Sequence, residues 1–246
     1  MSASSVHYEF DDGIAVIRLD DGKRNALSPR VLRDLGQALD RAEADRAIVI
    51  LTGRDEVFSA GFDLKVMKSG GTDTLRMLGA GYRLSARVLG HPYPVIGACN
   101  GHVLAMGVFL LLACDYSIGC KGDFKVAANE VALGLTMPRA GAAMLRHRLT
   151  RAAFQRAVLL SEYFPPAAAR EAGFFDELVE PGALMQRART LAAEFAKLDL
   201  RAHAESKQRI RGDLIRQIRR GVPLDLADAL RVALRGGKPR SKVGAA

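Results

Sequence analysis

The chain has 246 residues and a formal net charge of +9, from 36 Lys and Arg against 27 Asp and Glu. Hydrophobic residues make up 49% and charged residues 26%, the balance of a globular protein with a sizeable core, which excludes a largely disordered chain. The opening residues carry neither a basic stretch nor an apolar run, so no signal peptide is expected. The most apolar segment, 103–114, is too short for a bilayer span of about 20 residues.

Cys99, Cys114 and Cys120 show no CxxC spacing, and five histidines in the whole chain give no zinc pattern. Their apolar surroundings predict free, buried thiols, as in a reducing cytoplasm. The charge is uneven. Residues 201–246 hold twelve Lys and Arg against four Asp and Glu, or +8, leaving +1 for the first two hundred. Such a segment suits a polyanionic ligand or RNA, and equally a solvated helix face with a frayed tail.

In chain order, 6–10 and 14–19 read as short strands joined by Asp11-Asp12-Gly13, a hairpin signal. Ser28 before Pro29 marks a helix start, and Val31, Leu32, Leu35 and Leu39 follow at helical spacing. The β-branched run 47–52 predicts a buried strand ended by Gly53, then a loop over 54–61 and a helix from about 72 to 89. A strand over 95–99, a turn at Asn100-Gly101, a helix over 105–113 and a strand over 115–119 follow. The 105–113 segment is apolar all round, the mark of a helix buried on every side. Beyond Pro138 the pattern turns helical, over 140–149, 151–160, 165–172, 181–198 and 201–220, with a flexible tail at 236–246. This alternation argues for an α/β core over 1–198, with its following helices, and a basic helical region over 199–246.

Two glycine-containing loops lead from a strand into a helix: Phe58-Ser59-Ala60-Gly61-Phe62-Asp63-Leu64, and Asn100-Gly101-His102-Val103-Leu104-Ala105-Met106-Gly107. Gly61 permits a sharp bend, and Asp63 is placed to cap the helix that follows. Helix starts offer unpaired N–H groups, so two such loops face to face would make an oxyanion hole. As bare patterns they are common to many folds.

Several segments in one order carry a resemblance. They are Asp21-Gly22-Lys23-Arg24-Asn25-Ala26-Leu27-Ser28; Val49-Ile50-Leu51-Thr52-Gly53 followed by residues 58–64; Asn100-Gly101 with Cys114-Asp115-Tyr116; Asn129-Glu130-Val131-Ala132-Leu133-Gly134-Leu135-Thr136-Met137-Pro138; and Ala172-Gly173-Phe174. Together they resemble the enoyl-CoA hydratase/isomerase (crotonase) family. The resemblance implies an α/β, crotonase-like spiral of ββα repeats with a helical C-terminal trimerisation region, in a homotrimer or hexamer. It also implies an acyl-CoA thioester substrate with no separate cofactor and no metal, since coenzyme A is part of the substrate. The family's two oxyanion-hole amides fall on Phe62 and on Met106, where the family usually has glycine. Coenzyme A is expected across Arg24, Asn25 and Ala26, with the pantetheine along Ala60, Gly61, Asp63 and Leu64. Lys23, Arg24 and Lys65 are the local cations for its phosphates, and Lys207 could reach a ligand from a neighbouring subunit.

Hydratases of this family use two glutamates. The first falls on Phe109 here, which moves no proton, and the second is present as Glu130. Asn129-Glu130 resembles the mitochondrial 3-enoyl-CoA to 2-enoyl-CoA isomerases. One carboxylate suffices for a double-bond shift, with Phe109, Met106 and Leu133 as the apolar lining that raises its pKa. A hydratase or thioester hydrolase using one carboxylate is the alternative, and a non-catalytic RNA- or CoA-binding protein ranks last. His91 and His102 lack a partner carboxylate at usable spacing, Ser59 and Ser85 lack a nucleophile elbow, and Asp115 reads as a structural hydrogen-bond acceptor.

Overall fold

A computed structural model describes residues 4–234; the expected tail at 236–246 lies outside them. β1 (Val6–Asp11) and β2 (Ile14–Leu19) pair antiparallel with Asp11 opposite Ile14, so Asp12 and Gly13 alone form the turn. Both have positive φ, 45° and 75°, as a type I′ hairpin requires.

Four strand–strand–helix units follow. The first is β2, β3 (Ala26–Leu27) and α1 (Pro29–Ala44). The second is β4 (Ile48–Thr52), β5 (Glu56–Ser59), β6 (Gly61–Phe62), α2 (Leu64–Ser69) and α3 (Gly71–Leu89). The third is β7 (Val95–Cys99), β8 (Gly101–Leu104) and α4 (Met106–Leu112). The fourth is β9 (Tyr116–Cys120), β10 (Val126–Ala127), a 3-10 turn (Val131–Leu133) and α5 (Arg139–Arg148). Then come α6 (Arg151–Leu160), α7 (Pro166–Ala172), β11 (Glu177–Val179), α8 (Leu184–Phe195) and α9 (Leu200–Leu234). The first strand of each unit enters a six-stranded sheet in the order β1-β2-β4-β7-β9-β11, and the later strands build the small sheets β10-β8-β5 and β3-β6. This is the expected spiral of ββα repeats.

The predicted apolar patterns form the core. α1 is capped by Ser28, whose Oγ accepts from the Val31 N–H at 3.3 Å, and it buries Val31, Leu32, Leu35 and Leu39. β4 and β7 are buried at every residue, as parallel strands covered on both faces must be. On one face lies the main core with α1, α3 and α4. On the other, Val16, Ile48, Ile50, Ile96 and Ile118 pack against Leu184, Ala188 and Leu191 of α8.

Three expectations need correction. Asn100-Gly101 is not a turn, because Gly101 opens β8 beside Glu56 of β5. A Cβ on Gly101 would fall 1.9 Å from the Glu56 carbonyl, so the glycine serves strand approach. The segment 54–61 is not plain loop, since it contains β5 and the start of β6. The last helix does not end at 220 but continues through Pro223 to Leu234. Tertiary contacts hold it on both sides of the proline: Val222 is buried, and Asp225 accepts from the Arg139 and Ala140 N–H groups at the start of α5.

Lys207 departs from expectation in direction. Its side chain is 3% exposed and faces inward, donating to the His91 and Tyr93 carbonyls and pairing with Asp115 at 2.6 Å. Arg211 pairs with the other Asp115 oxygen at 2.9 Å and donates to the Ala113 and Cys114 carbonyls at the end of α4. Asp115 also accepts the Val95 N–H at 2.7 Å. The acceptor read from the sequence is therefore the anchor that fixes α9 to β7 and α4. Burial lowers the Lys207 pKa, and Asp115 opposes the shift. The three cysteines are free and buried, and burial pushes the Cys99 and Cys114 thiols up to about 12. Among the described residues no helix is long and apolar enough to cross a membrane.

Candidate active site

The site is assembled where the Asp21–Ala26 loop, β6 and the start of α4 meet. Asp21 accepts from the backbone N–H groups of Lys23, Asn25 and Ala26 at 2.7, 2.9 and 3.0 Å. Burial alone would raise its carboxyl, but those donors and the nearby Arg54 charge hold it below its ordinary value. Asn25, 1% exposed with φ 51°, donates from Nδ2 to the carbonyls of Leu19, Val57 and Phe58. Ser59 then gives its hydroxyl to the Asn25 carbonyl at 2.8 Å and receives the Gly61 N–H at 3.1 Å. The loop is thus tied to β5 and β6, with Arg24 exposed at its rim and Ala26 paired opposite Gly61.

β6 carries the first candidate amide. Asp63 donates its N–H to the Leu27 carbonyl at 3.3 Å, so strand alternation turns the Phe62 N–H away from β3. The Asp63 carboxylate caps α2 by accepting the Lys65 N–H at 2.8 Å, as expected, and Leu64 is 60% exposed. The second candidate amide belongs to Met106, the first residue of α4, where N–H groups lack intrahelical partners. Ala105 before it is forced to φ 46°. The two loops touch at Gly61, φ 87°, where a Cβ would lie 2.9 Å from Ala105 Cβ, 3.0 Å from the Leu104 carbonyl and 3.1 Å from the Met106 nitrogen.

Gly61→Ala must therefore separate the two amides as well as strain its own φ. We expect kcat/KM on acyl-CoA to fall about 10²–10³-fold, the effect of losing one oxyanion donor. Gly13→Ala shares the positive φ but has open space around it. It should lose on the order of 1 kcal/mol of stability and no activity. Equal activity losses in steady-state assays of the two variants would rule out the crowding account.

Side chains close the apolar half of the site. Met106, 1% exposed, packs toward α3, where a Cβ on Gly81 would fall 3.1 Å from its Sδ and 2.6 Å from the Phe62 ring. Tyr82 stands between Phe62 and Phe109, with ring centroids 6.5 and 5.6 Å away. Phe109 is fully buried and also packs against Gly141 of α5. Glu130 precedes the 3-10 turn and is 7% exposed, and its Oε2 has no hydrogen-bond partner. Burial pushes its carboxyl up to about 7. Leu133, expected in the apolar lining, is 38% exposed. His102 is occupied, accepting the Lys125 N–H on Nδ1. Among the described residues no group of three or more His, Cys, Asp or Glu could hold a metal ion.

The family model for enoyl-CoA hydratase/isomerase matches residues 9–226. The chain belongs to the enoyl-CoA hydratase/isomerase family. A Thermus thermophilus relative bearing the name enoyl-CoA hydratase is 36% identical over 195 residues, 75% of each chain. An enoyl-CoA hydratase/isomerase family structure from Pseudomonas syringae superposes with TM-score 0.89 at 42% identity, covering 91% of this chain and 97% of that one. A structure of an enoyl-CoA isomerase from Mycobacterium tuberculosis superposes with TM-score 0.87 at 42% identity, covering 91% and 98%. This protein is accordingly an acyl-CoA enzyme with the crotonase fold, and hydratase and isomerase names both occur among its relatives.

Sequence reasoning missed Tyr82 and the stapling roles of Asp21 and Ser59. The signal for Tyr82 was Gly79-Ala80-Gly81 just before it, two glycines inside a helix, which mark close approach of another element.

Proposed function

We propose that this enzyme shifts the double bond of a 3-enoyl-CoA to the 2-position through a thioester enolate, with Glu130 carrying the proton. The observation that supports this most is Glu130, the one buried carboxylate among the described residues, with an Oε2 that has no partner, while the resemblance sets the hydratases' other glutamate on the buried Phe109. The Phe62 and Met106 N–H groups receive the thioester oxygen and stabilise the charge that develops when Glu130 removes a proton from C2. Each such donor contributes about 2.7–4 kcal/mol in the transition state. Glu130 returns the same proton to C4 as the double bond re-forms between C2 and C3, so no atom is gained or lost. Coenzyme A lies across Arg24 and Ala26, with its pantetheine along Ala60, Gly61, Asp63 and Leu64, and Lys23 and Lys65 near its phosphates. No cofactor is required. The subunits assemble as trimers or pairs of trimers, for which the exposed Leu159 and Leu160 at the end of α6 offer apolar surface.

The test is to incubate the protein with 3-enoyl-CoA and with 2-enoyl-CoA and follow products by mass. Conversion of the first to the second at constant mass is expected. A gain of one water from 2-enoyl-CoA, or release of free thiol, would replace isomerisation by hydration or hydrolysis. Glu130 must be ionised to take the C2 proton, so kcat should rise with pH along a limb centred near 7, the value to which burial pushes the carboxyl. A flat profile between pH 5.5 and 8.5 would remove Glu130 from the rate-determining proton transfer.

A further inference from the structure

The +8 of residues 201–246 has no part in the double-bond shift. Some of its arginines line a cleft of about 250 Å³ between α9 and the ends of α1 and α3. Arg216 and Arg219 of α9 meet Arg87 of α3 there, against one carboxylate, Glu43 of α1. Arg219 is exposed and makes no hydrogen bond or ion pair among the described residues. Arg216 pairs with Asp213 and Arg87 with Asp40, both exposed carboxylates outside the cleft lining. Such exposed pairs are weak and exchange readily for another anion. Gly212 makes room for one of these arginines, since a Cβ on it would lie 3.3 Å from an Arg216 guanidinium nitrogen.

His91 lines the same cleft and is 1% exposed. The Tyr93 carbonyl, 3.1 Å from its Nδ1, already accepts from Lys207 at 3.2 Å. The Tyr93 N–H, 3.3 Å from Nδ1, has that nitrogen as its acceptor. Nδ1 is therefore the accepting nitrogen, and in the neutral ring the proton sits on Nε2. Burial lowers the ring's pKa, so the neutral form prevails. Nε2 has no partner among the described residues, which is uncommon for a buried polar atom. Gln208 gives one amide N–H to the Gly90 carbonyl at 3.3 Å and keeps the other unused. Apart from Glu43, the charged and polar side chains of this lining thus offer N–H groups.

We propose that this cleft is a second ligand site, which binds a small phosphate-class oxyanion between Arg216, Arg219 and Arg87, with His91 Nε2 and the Gln208 amide as neutral donors. Guanidinium forks match the geometry of a phosphate, and the unused N–H groups converge from α3, α9 and the connection between α3 and β7. The volume lies just under the roughly 300–1,000 Å³ of clefts that hold drug-sized ligands, so inorganic phosphate or the phosphoryl group of a small monoester suits it. Bound there, the anion ties α9 to α3 and offsets the repulsion among the three arginines. The site is separate from Glu130 and from the two candidate amides, and it does not depend on the reaction assigned to them.

The test is titration of the full chain with inorganic phosphate, and separately with methyl phosphate, by calorimetry at constant ionic strength. Arg216→Gln with Arg219→Gln removes two exposed side chains, so the fold should persist, as a thermal melt will show. Arg189→Gln with Arg220→Gln makes the same change of charge at exposed positions outside the lining, and Lys23→Ala removes a cation proposed for coenzyme A. We expect saturable binding in the parent, weakened about tenfold or more in the first double variant, and little changed in the other two proteins. The ring resonances of His91, followed with 15N-labelled histidine, should shift along the same titration. Tighter binding of methyl phosphate would assign a monoester, and tighter binding of phosphate the free ion. Absence of saturable binding, an equal loss in both double variants, a loss confined to Lys23→Ala, or unmoved His91 resonances would each overturn the proposal.

Discussion

Glu130→Gln should lower kcat for the proposed double-bond shift by about 10²–10⁴-fold, the range for removing a general base. Glutamine matches glutamate in size but takes no proton. KM should therefore change little, and the product assay by mass checks both quantities. The same variant has an expected signature in stability. Burial holds the Glu130 carboxyl at about 7 against an ordinary 4.5, so the native protein binds this proton more tightly than the unfolded chain. Its contribution to stability is full below the unfolded value and is lost as pH rises through about 7. The ionised form then costs on the order of 3 kcal/mol. Relative to the parent, Glu130→Gln should gain melting temperature between pH 5 and pH 8. A variant that loses stability at pH 8 would place Glu130 in the structural framework rather than in the chemistry.

The second large effect is one of stability alone. Asp115→Ala leaves Lys207 and Arg211, with side chains 3% and 9% exposed, buried without their counter-ion, and removes the acceptor of the Val95 N–H. Removing one partner from a buried pair costs about 3–5 kcal/mol. For a chain of this size that is a fall of roughly 6–20 °C in melting temperature. Asp115→Asn retains hydrogen-bonding capacity and should fall in between. A melt of Asp115→Ala within about 2 °C of the parent would show that the Asp115 cluster does not anchor α9. Because α9 also carries Asp225 to the start of α5, loosening it should reach the elements that pack around Phe109.

Elements with a strong local signal were legible in the chain. The hairpin at Asp12-Gly13, the Ser28 cap with the apolar stripe of α1, the buried strands β4 and β7 and the all-apolar α4 each follow from spacing, turn chemistry or periodicity within a few residues. β3, β6 and β10 are two residues long and could not be read, because such strands have no period and their partners lie far along the chain. Gly101 resembled a turn residue because the sequence cannot show that the Glu56 carbonyl occupies the space of its missing Cβ.

For the site, the ordered motifs identified the family, the two candidate amides and Glu130, since those depend on residue identity at fixed separation. What the motifs left open is whether Glu130 is buried, lacks a partner at Oε2 and is shifted to about 7. The same holds for Lys207, whose charge was plain in the sequence while its inward direction depends on Asp115, 92 residues away. Composition, period and capping are local properties of the chain. Burial and electrostatic partnership are set by contacts between residues that only the folded chain brings together.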